Sequence, residues 1–78
     1  METIGQRAAK AIRHRAMYEH SGRDRVITLK NELDRLNIPH DNYYDWKRGR
    51  SNPSAHYLGK MALAGYDVFW ILTGKEKQ

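Results

Sequence analysis

The chain contains no cysteine, so no disulfide cross-links it and no thiolate holds zinc. Its longest apolar run, 68–72, is far shorter than the roughly 20 residues of a membrane-spanning helix. No apolar stretch follows a basic start in residues 1–9, so we expect no signal peptide. We therefore expect a cytoplasmic protein with one domain over residues 1–78, stabilised by a helical core, a dimer partner or both.

Patterns for metal binding and catalysis are also missing. The four histidines lack the i, i+4 spacing of a helical metal site, and no neighbouring carboxylate completes one. The sequence shows no pattern that pairs a nucleophile with a general base. The few glycines mark helix ends rather than a phosphate-binding loop. We expect no enzyme, no metal, no cofactor and no small-molecule ligand.

Positive charge is what the chain does have, with a formal net charge of +5. Four basic residues and no acidic one lie between Lys47 and Tyr66. A second basic cluster lies near the N-terminus and consists of Arg7, Lys10, Arg13 and Arg15. Such charge on a small domain is typical of nucleic-acid binding, although it also serves ordinary solubility.

Apolar spacing and helix-ending residues predict an all-α fold, a compact bundle of about five short helices. The first runs from Thr3, its N-cap, to about His20, and Ser21-Gly22 ends it. The others are expected from 26 or 28 to 36, at 39–48, from 53 to a stop at 65, and at 68–72. Ser51 or Asn52 is the expected cap of the fourth helix, and Asp67 that of the fifth.

The second and third predicted helices form a helix-turn-helix over about 28–48. The apolar stripe of the second is Val26, Leu29, Leu33 and Leu36, and the third buries Tyr43 and Trp46. Between them, Asn37 tolerates a left-handed turn, Ile38 is an apolar plug and Pro39 starts the new helix.

Segment 46–54, WKRGRSNPS, resembles the end of this motif in XRE-type (Cro and phage repressor-like) regulators. Segment 65–74, GYDVFWILTG, is similar to the last helix of that family. The resemblance covers about 28–74 and implies a lambda-repressor-like helix-turn-helix domain. It implies a transcriptional regulator, a phage or prophage type of repressor, that binds operator DNA as a dimer at the bacterial nucleoid.

The chain departs from the family pattern at several positions inside the motif. Leu29 stands where the family usually has Gln, Glu32 replaces an aliphatic residue and Leu33 replaces a small Ala. Asn37 takes the place of the usual turn Gly, and Pro39 that of the usual Ser. A bulkier residue at 33 is expected to change how the two helices cross.

If the docking of the family applies, the outward face of the third helix contacts base edges in the major groove. The candidates for base contacts are His40, Asp41, Asn42, Tyr44, Asp45 and Arg48. The candidates for phosphate contacts, each of which could instead be a solvated surface residue, are Thr28, Lys30, Lys47, Arg50, Ser51 and Asn52.

Two carboxylates on that face need an explanation, because phosphates repel them. Asp41 and Asp45 could accept from cytosine N4. Alternatively, Asp41 stabilises a first helical turn and Asp45 pairs with Arg48 three residues on.

The last predicted helix, about 67–73, carries more apolar residues than a small domain can bury. We expect Phe69 and Leu72 to face the core and Trp70 and Ile71 to form a homodimer interface. The alternative is that the first helix covers the latter pair.

Two functions from different classes remain. The leading hypothesis is a dimeric, sequence-specific regulator of double-stranded DNA. The alternative is a helix-turn-helix fold used as a protein-interaction module, an inhibitor or adaptor; the acidic residues at 41 and 45 favour it, and the net charge opposes it. RNA or single-strand binding is a third, weaker option, since the aromatic residues fit a core better than a stacking platform.

Overall fold

The computed structural model describes residues 1–19 and 25–76, and in these ranges the protein is all-α, as predicted. The helices are α1 (Ile4–Glu19), α2 (Arg25–Leu36), α3 (His40–Lys47), α4 (Ala55–Leu63) and α5 (Val68–Thr73). The radius of gyration of 11.8 Å is that of a compact chain of this length. The predicted end of the first helix at His20 and its stop at Ser21-Gly22 lie outside the described residues.

The first helix, α1, is the one against which α2, α3 and α5 pack. Small residues at its centre, Ala8 and Ala9, are buried together with Ile12, which lets neighbouring helices approach closely. Thr3 caps α1 as predicted: its hydroxyl accepts from the Gln6 amide, while the Gln6 side chain accepts from the Thr3 amide, both at 3.0 Å. This reciprocal arrangement is a capping box.

The connection between α2 and α3 has the predicted three-residue form. Asn37 adopts a left-handed φ of 56°, a conformation that Asn tolerates better than most residues. Ile38 follows as the apolar plug and is 2% exposed, and its amide donates to the Leu33 carbonyl at 2.9 Å. Tyr43 and Trp46 are buried beneath it, as the spacing predicted.

The start of α4 corrects the sequence analysis. Ser54, and neither Ser51 nor Asn52, occupies the N-cap position, and its side chain makes no capping hydrogen bond. Asn52 instead accepts from the Gly5 amide of α1 at 2.8 Å, so it closes the end of a helix far away in the sequence. The cap of α5 is the predicted one, because Asp67 accepts from the Trp70 amide at 3.0 Å.

The inward face of α5 differs from the leading prediction and follows the alternative, in which α1 covers Ile71 and part of Trp70. Ile71 is fully buried, whereas Phe69 is 47% exposed and Leu72 is 45% exposed. The reason is that α5 packs on α1 with Ile71 at the centre of the contact and Trp70 half-buried at its edge. Ile71 is therefore not available for the dimer interface in which it was expected.

Candidate nucleic-acid interface

The outward face of α3 is built by the burial of the opposite face. Because Tyr43 and Trp46 lie in the core, side chains about half a turn away must face solvent. All predicted base-contacting residues of α3 reach the surface: His40, Asn42 and Asp45 are half-buried, and Asp41, Tyr44 and Arg48 are exposed.

Ion pairs within the protein would occupy the acidic and basic side chains of this face. Within residues 1–19 and 25–76, neither Asp41 nor Asp45 forms an ion pair, so the alternative in which Asp45 pairs with Arg48 is not seen. The Arg48 guanidinium lies 5.8 Å from the centre of the Tyr44 ring instead. Arg48 thus presents its donors next to an aromatic side chain and two carboxylates.

The last residue of α3 and the loop after it continue the polar surface with exposed residues, namely Lys47, Arg48, Arg50, Ser51 and Asn52. Lys47 and Arg50 have no carboxylate partner in the part of the chain that the structure describes. The side-chain oxygen of Asn52 is occupied by Gly5, which leaves its NH2 group as the donor for an external ligand. Three cations and two neutral donors therefore face outward together.

Gly5 holds this loop in place, and the sequence analysis did not identify it. A Cβ on Gly5 would overlap the Ser51 carbonyl oxygen and lie 3.1 Å from the Trp46 Cα. Only a residue without a side chain lets α1 approach the loop this closely. The sequence does contain a hint, because Gly5 lies in the first turn of a predicted helix, where glycine is less favourable than alanine. A glycine at such a position can indicate that another part of the backbone approaches closely.

Thr28 is a correction. It was expected to contact phosphate, but it is 3% exposed, so its side chain is covered by the protein. Leu33 and Leu36 of the predicted apolar stripe of α2 are buried and Leu29 is half-buried, as expected, while Val26 lies outside the side chains that the structure describes. Thr28 and Glu32, four residues apart, are buried as well, which widens the inward face of the helix. Lys30 is exposed as expected, but it forms an ion pair with Asp34 at 3.1 Å. The hydrogen bond from Lys30 lowers the pKa of the Asp34 carboxyl. The other oxygen of this carboxyl, Oδ1, lies 3.7 Å from Nε2 of His40.

Glu32, a departure from the family pattern, is 1% exposed and fully bonded. It accepts two hydrogen bonds from Arg35, at 3.1 and 2.7 Å, and one from the Tyr66 hydroxyl at 2.5 Å. Burial alone would raise the pKa of this carboxyl, but the hydrogen bonds outweigh it and hold the pKa below its ordinary value. Burial and the neighbouring Glu32 raise the pKa of the Tyr66 hydroxyl. This network ties α2 to the connection between α4 and α5.

Other kinds of site find no support in the described residues. Within residues 1–19 and 25–76, no cluster of three His, Cys, Asp or Glu side chains could hold a metal ion. The same part of the chain has no helix both long and apolar enough to cross a membrane. No family model, curated protein or solved structure matches the chain.

Proposed function

We propose that the protein is a sequence-specific regulator of transcription that binds double-stranded DNA through a lambda-repressor-like helix-turn-helix. The observation that carries the proposal is the exposed face of α3, which continues into a loop whose cations have no carboxylate partner among residues 1–19 and 25–76. Base-reading donors and phosphate-binding cations then lie on one surface, as a major-groove reader requires. Lys47 and Arg50 are the central cations of this surface.

The dimensions of α3 suit the major groove. An α-helix is about 10–12 Å across with its side chains, which fits a major groove about 12 Å wide. Arg48 can donate two hydrogen bonds to guanine, and Asn42 can pair with adenine. When ionised, Asp41 and Asp45 can accept hydrogen bonds but donate none, so they favour cytosine amino groups and weaken binding where no donor faces them. These carboxylates therefore contribute to specificity more than to affinity.

We place the homodimer contact on the outer face of α5, with residues that differ from those expected from the sequence. Phe69 and Leu72 are three residues apart on one helical face, and both are half-exposed apolar side chains. Leu63, at the end of α4, is 93% exposed. Pairing through this end would let a two-fold dimer contact two half-sites of an operator. Such a dimer, acting in the cytoplasm, would repress by occluding the promoter.

The test is selection of bound duplexes from a random-sequence pool, repeated at two salt concentrations. We expect a palindromic site to be enriched and the affinity to fall steeply with salt. Arg48→Ala should relax the preference at one base position. Arg50→Ala should weaken all duplexes alike and leave the preferred sequence unchanged. Lys75→Ala, which removes an exposed charge in the C-terminal tail, is the matched control and should change neither.

The interaction-module alternative is favoured by one observation, the two carboxylates on the α3 face that have no ion-pair partner in the described residues. The double variant Asp41→Asn, Asp45→Asn separates the two functions. A DNA reader should change its preferred bases and bind non-preferred duplexes more tightly, because repulsion of phosphate is removed. Weak binding without enrichment, in the wild type and this variant alike, would reject the DNA-binding proposal in favour of a protein partner.

A further inference from the structure

The four cations near the N-terminus have different surroundings in the folded protein. The Arg7 guanidinium donates to the Ile71 carbonyl at 2.8 Å and so closes the end of α5. Lys10 pairs with Glu2 at 2.5 Å, and Arg15 donates to the Ala64 carbonyl at 2.5 Å. These three are engaged inside the protein.

Arg13 is the exception. It is exposed on α1, and it has no hydrogen-bond or ion-pair partner within residues 1–19 and 25–76. A cationic side chain without a hydrogen bond or ion pair to the described residues has none of these to lose to them when it binds an external anion. Arg13 is thus the member of the N-terminal cluster best suited to an external ligand.

The position of Arg13 relates it to the interface on α3. Arg13 and Lys47 together line two neighbouring surface depressions between α1 and α3. One depression also includes Tyr44 of the outward α3 face, and the other includes Gln6 of α1. The two cations therefore border the same depressions, directly beside the surface that we propose enters the groove.

Anionic groups inside the protein do not neutralise this pair. Among the described residues that line the two depressions, Glu2 is the one carboxylate, and it is already paired with Lys10. A planar guanidinium and a compact ammonium at one place favour an anion with several oxygens, which a guanidinium can contact through two N–H groups. A backbone phosphate of duplex DNA has these properties.

We propose that Arg13 and Lys47 jointly bind one backbone phosphate of duplex DNA and thereby extend the interface from α3 to α1. The inference rests on the proposed function. The phosphate strands border the groove that α3 would occupy, and α1 packs alongside α3. The contact fixes the position of α3 and carries no sequence information, so it acts on every duplex alike.

The experiment measures affinity for one fluorescently labelled duplex by anisotropy between 50 and 200 mM KCl. Any duplex sequence serves, because the contact is sequence-independent. The variants are Arg13→Gln, Lys47→Gln, the double variant, and Lys75→Gln as a matched loss of one exposed charge. Circular dichroism checks that each variant folds, and we expect this because Arg13 and Lys47 are exposed.

The expected result is a loss of about one in the slope of log affinity against log salt for each single variant. At 0.15 M salt this corresponds to roughly fivefold weaker binding. We expect that both cations are needed to hold the shared phosphate, so the double variant should lose about one in total, like each single variant, and not two. Lys75→Gln should keep the wild-type slope.

Three results would overturn the inference, and they differ in what else they overturn. A wild-type slope in Arg13→Gln, with a reduced slope in Lys47→Gln, removes α1 from the interface and leaves the proposed function intact. A loss of about two in the double variant assigns the cations to separate phosphates. Absence of salt-dependent duplex binding by the wild type rejects the proposed function and this inference together.

Discussion

Replacing Gly5 by alanine tests how the cationic loop is positioned. Helix propensity alone predicts that Gly5→Ala stabilises α1 by up to about 1 kcal/mol. The structure predicts the opposite, because the new methyl group would overlap the Ser51 carbonyl oxygen and crowd the Trp46 Cα at 3.1 Å. Both obstacles are backbone atoms that cannot rotate away, so the loop itself must move. Such overpacking costs about 1–3 kcal/mol.

A second loss adds to the first. The Gly5 amide donates to Asn52 at 2.8 Å, and displacement of the loop weakens this hydrogen bond, at a cost of about 1 kcal/mol. The crowding and the lost bond exceed the propensity gain, so we expect a net destabilisation of about 2 kcal/mol. In a domain of this size, that lowers Tm by roughly 8–16 °C.

Urea unfolding followed by tryptophan fluorescence measures the change, since Trp46 is buried beside the affected loop. The matched control is Gly59→Ala in α4, where an added Cβ meets nothing within 4 Å. This control should gain about 0.5–1 kcal/mol. If Gly5→Ala unfolds at the same urea concentration as the wild type or a higher one, the close approach of α1 to the loop is refuted.

Three further outcomes can be measured on the same protein. Burial raises the pKa of the Glu32 carboxyl, but hydrogen bonds from Arg35 and Tyr66 outweigh it and hold the pKa below the ordinary value of 4.5. The ionised carboxylate therefore stabilises the fold above pH 4.5, and this stabilisation is lost as the pH falls through the lowered pKa. Urea unfolding at several pH values should therefore show a smaller acid-side loss of stability for Glu32→Gln, and equal losses would contradict it. Asn37→Ala, at φ 56°, should cost about 1 kcal/mol of unfolding free energy while Asn37→Gly is near neutral; the reverse order would exclude the left-handed turn. Leu72→Lys, at a half-exposed site, should shift sedimentation toward the monomer without loss of helicity, and an unchanged mass would remove α5 from the dimer contact.

The helices could be predicted because their ends are specified by neighbouring residues. A left-handed turn at Asn37, a cap at Asp67 and a stop at Gly74 depend on the conformational preferences of single residues. The outward face of α3 was predictable for a similar reason. Two large aromatic residues three positions apart set which side of a short helix is buried, and the other side follows from the 3.6-residue period.

The orientation of α5 was not predictable in this way. Five consecutive apolar residues have no polar face, so periodicity cannot distinguish one side of the helix from another. Packing against α1 determines which side of α5 is buried, and Ile71 is the residue of α5 that it buries fully. Arg7 of α1 strengthens this choice through its hydrogen bond to the Ile71 carbonyl. That bond joins residues 64 positions apart, which no local pattern reveals.

The same limit explains why Glu32 was not predicted on the buried face of α2, although Leu33 and Leu36 were. A count of apolar residues places a glutamate on the outside, since a lone buried carboxylate is costly. Glu32 is nevertheless buried, because the Tyr66 hydroxyl and the neighbouring Arg35 satisfy its oxygens. The substitution of an aliphatic position by Glu32 therefore makes sense only together with Tyr66. Thr28 is buried on the same side of α2, so the phosphate contacts we propose lie at the end of α3, in the loop after it and at Arg13 of α1.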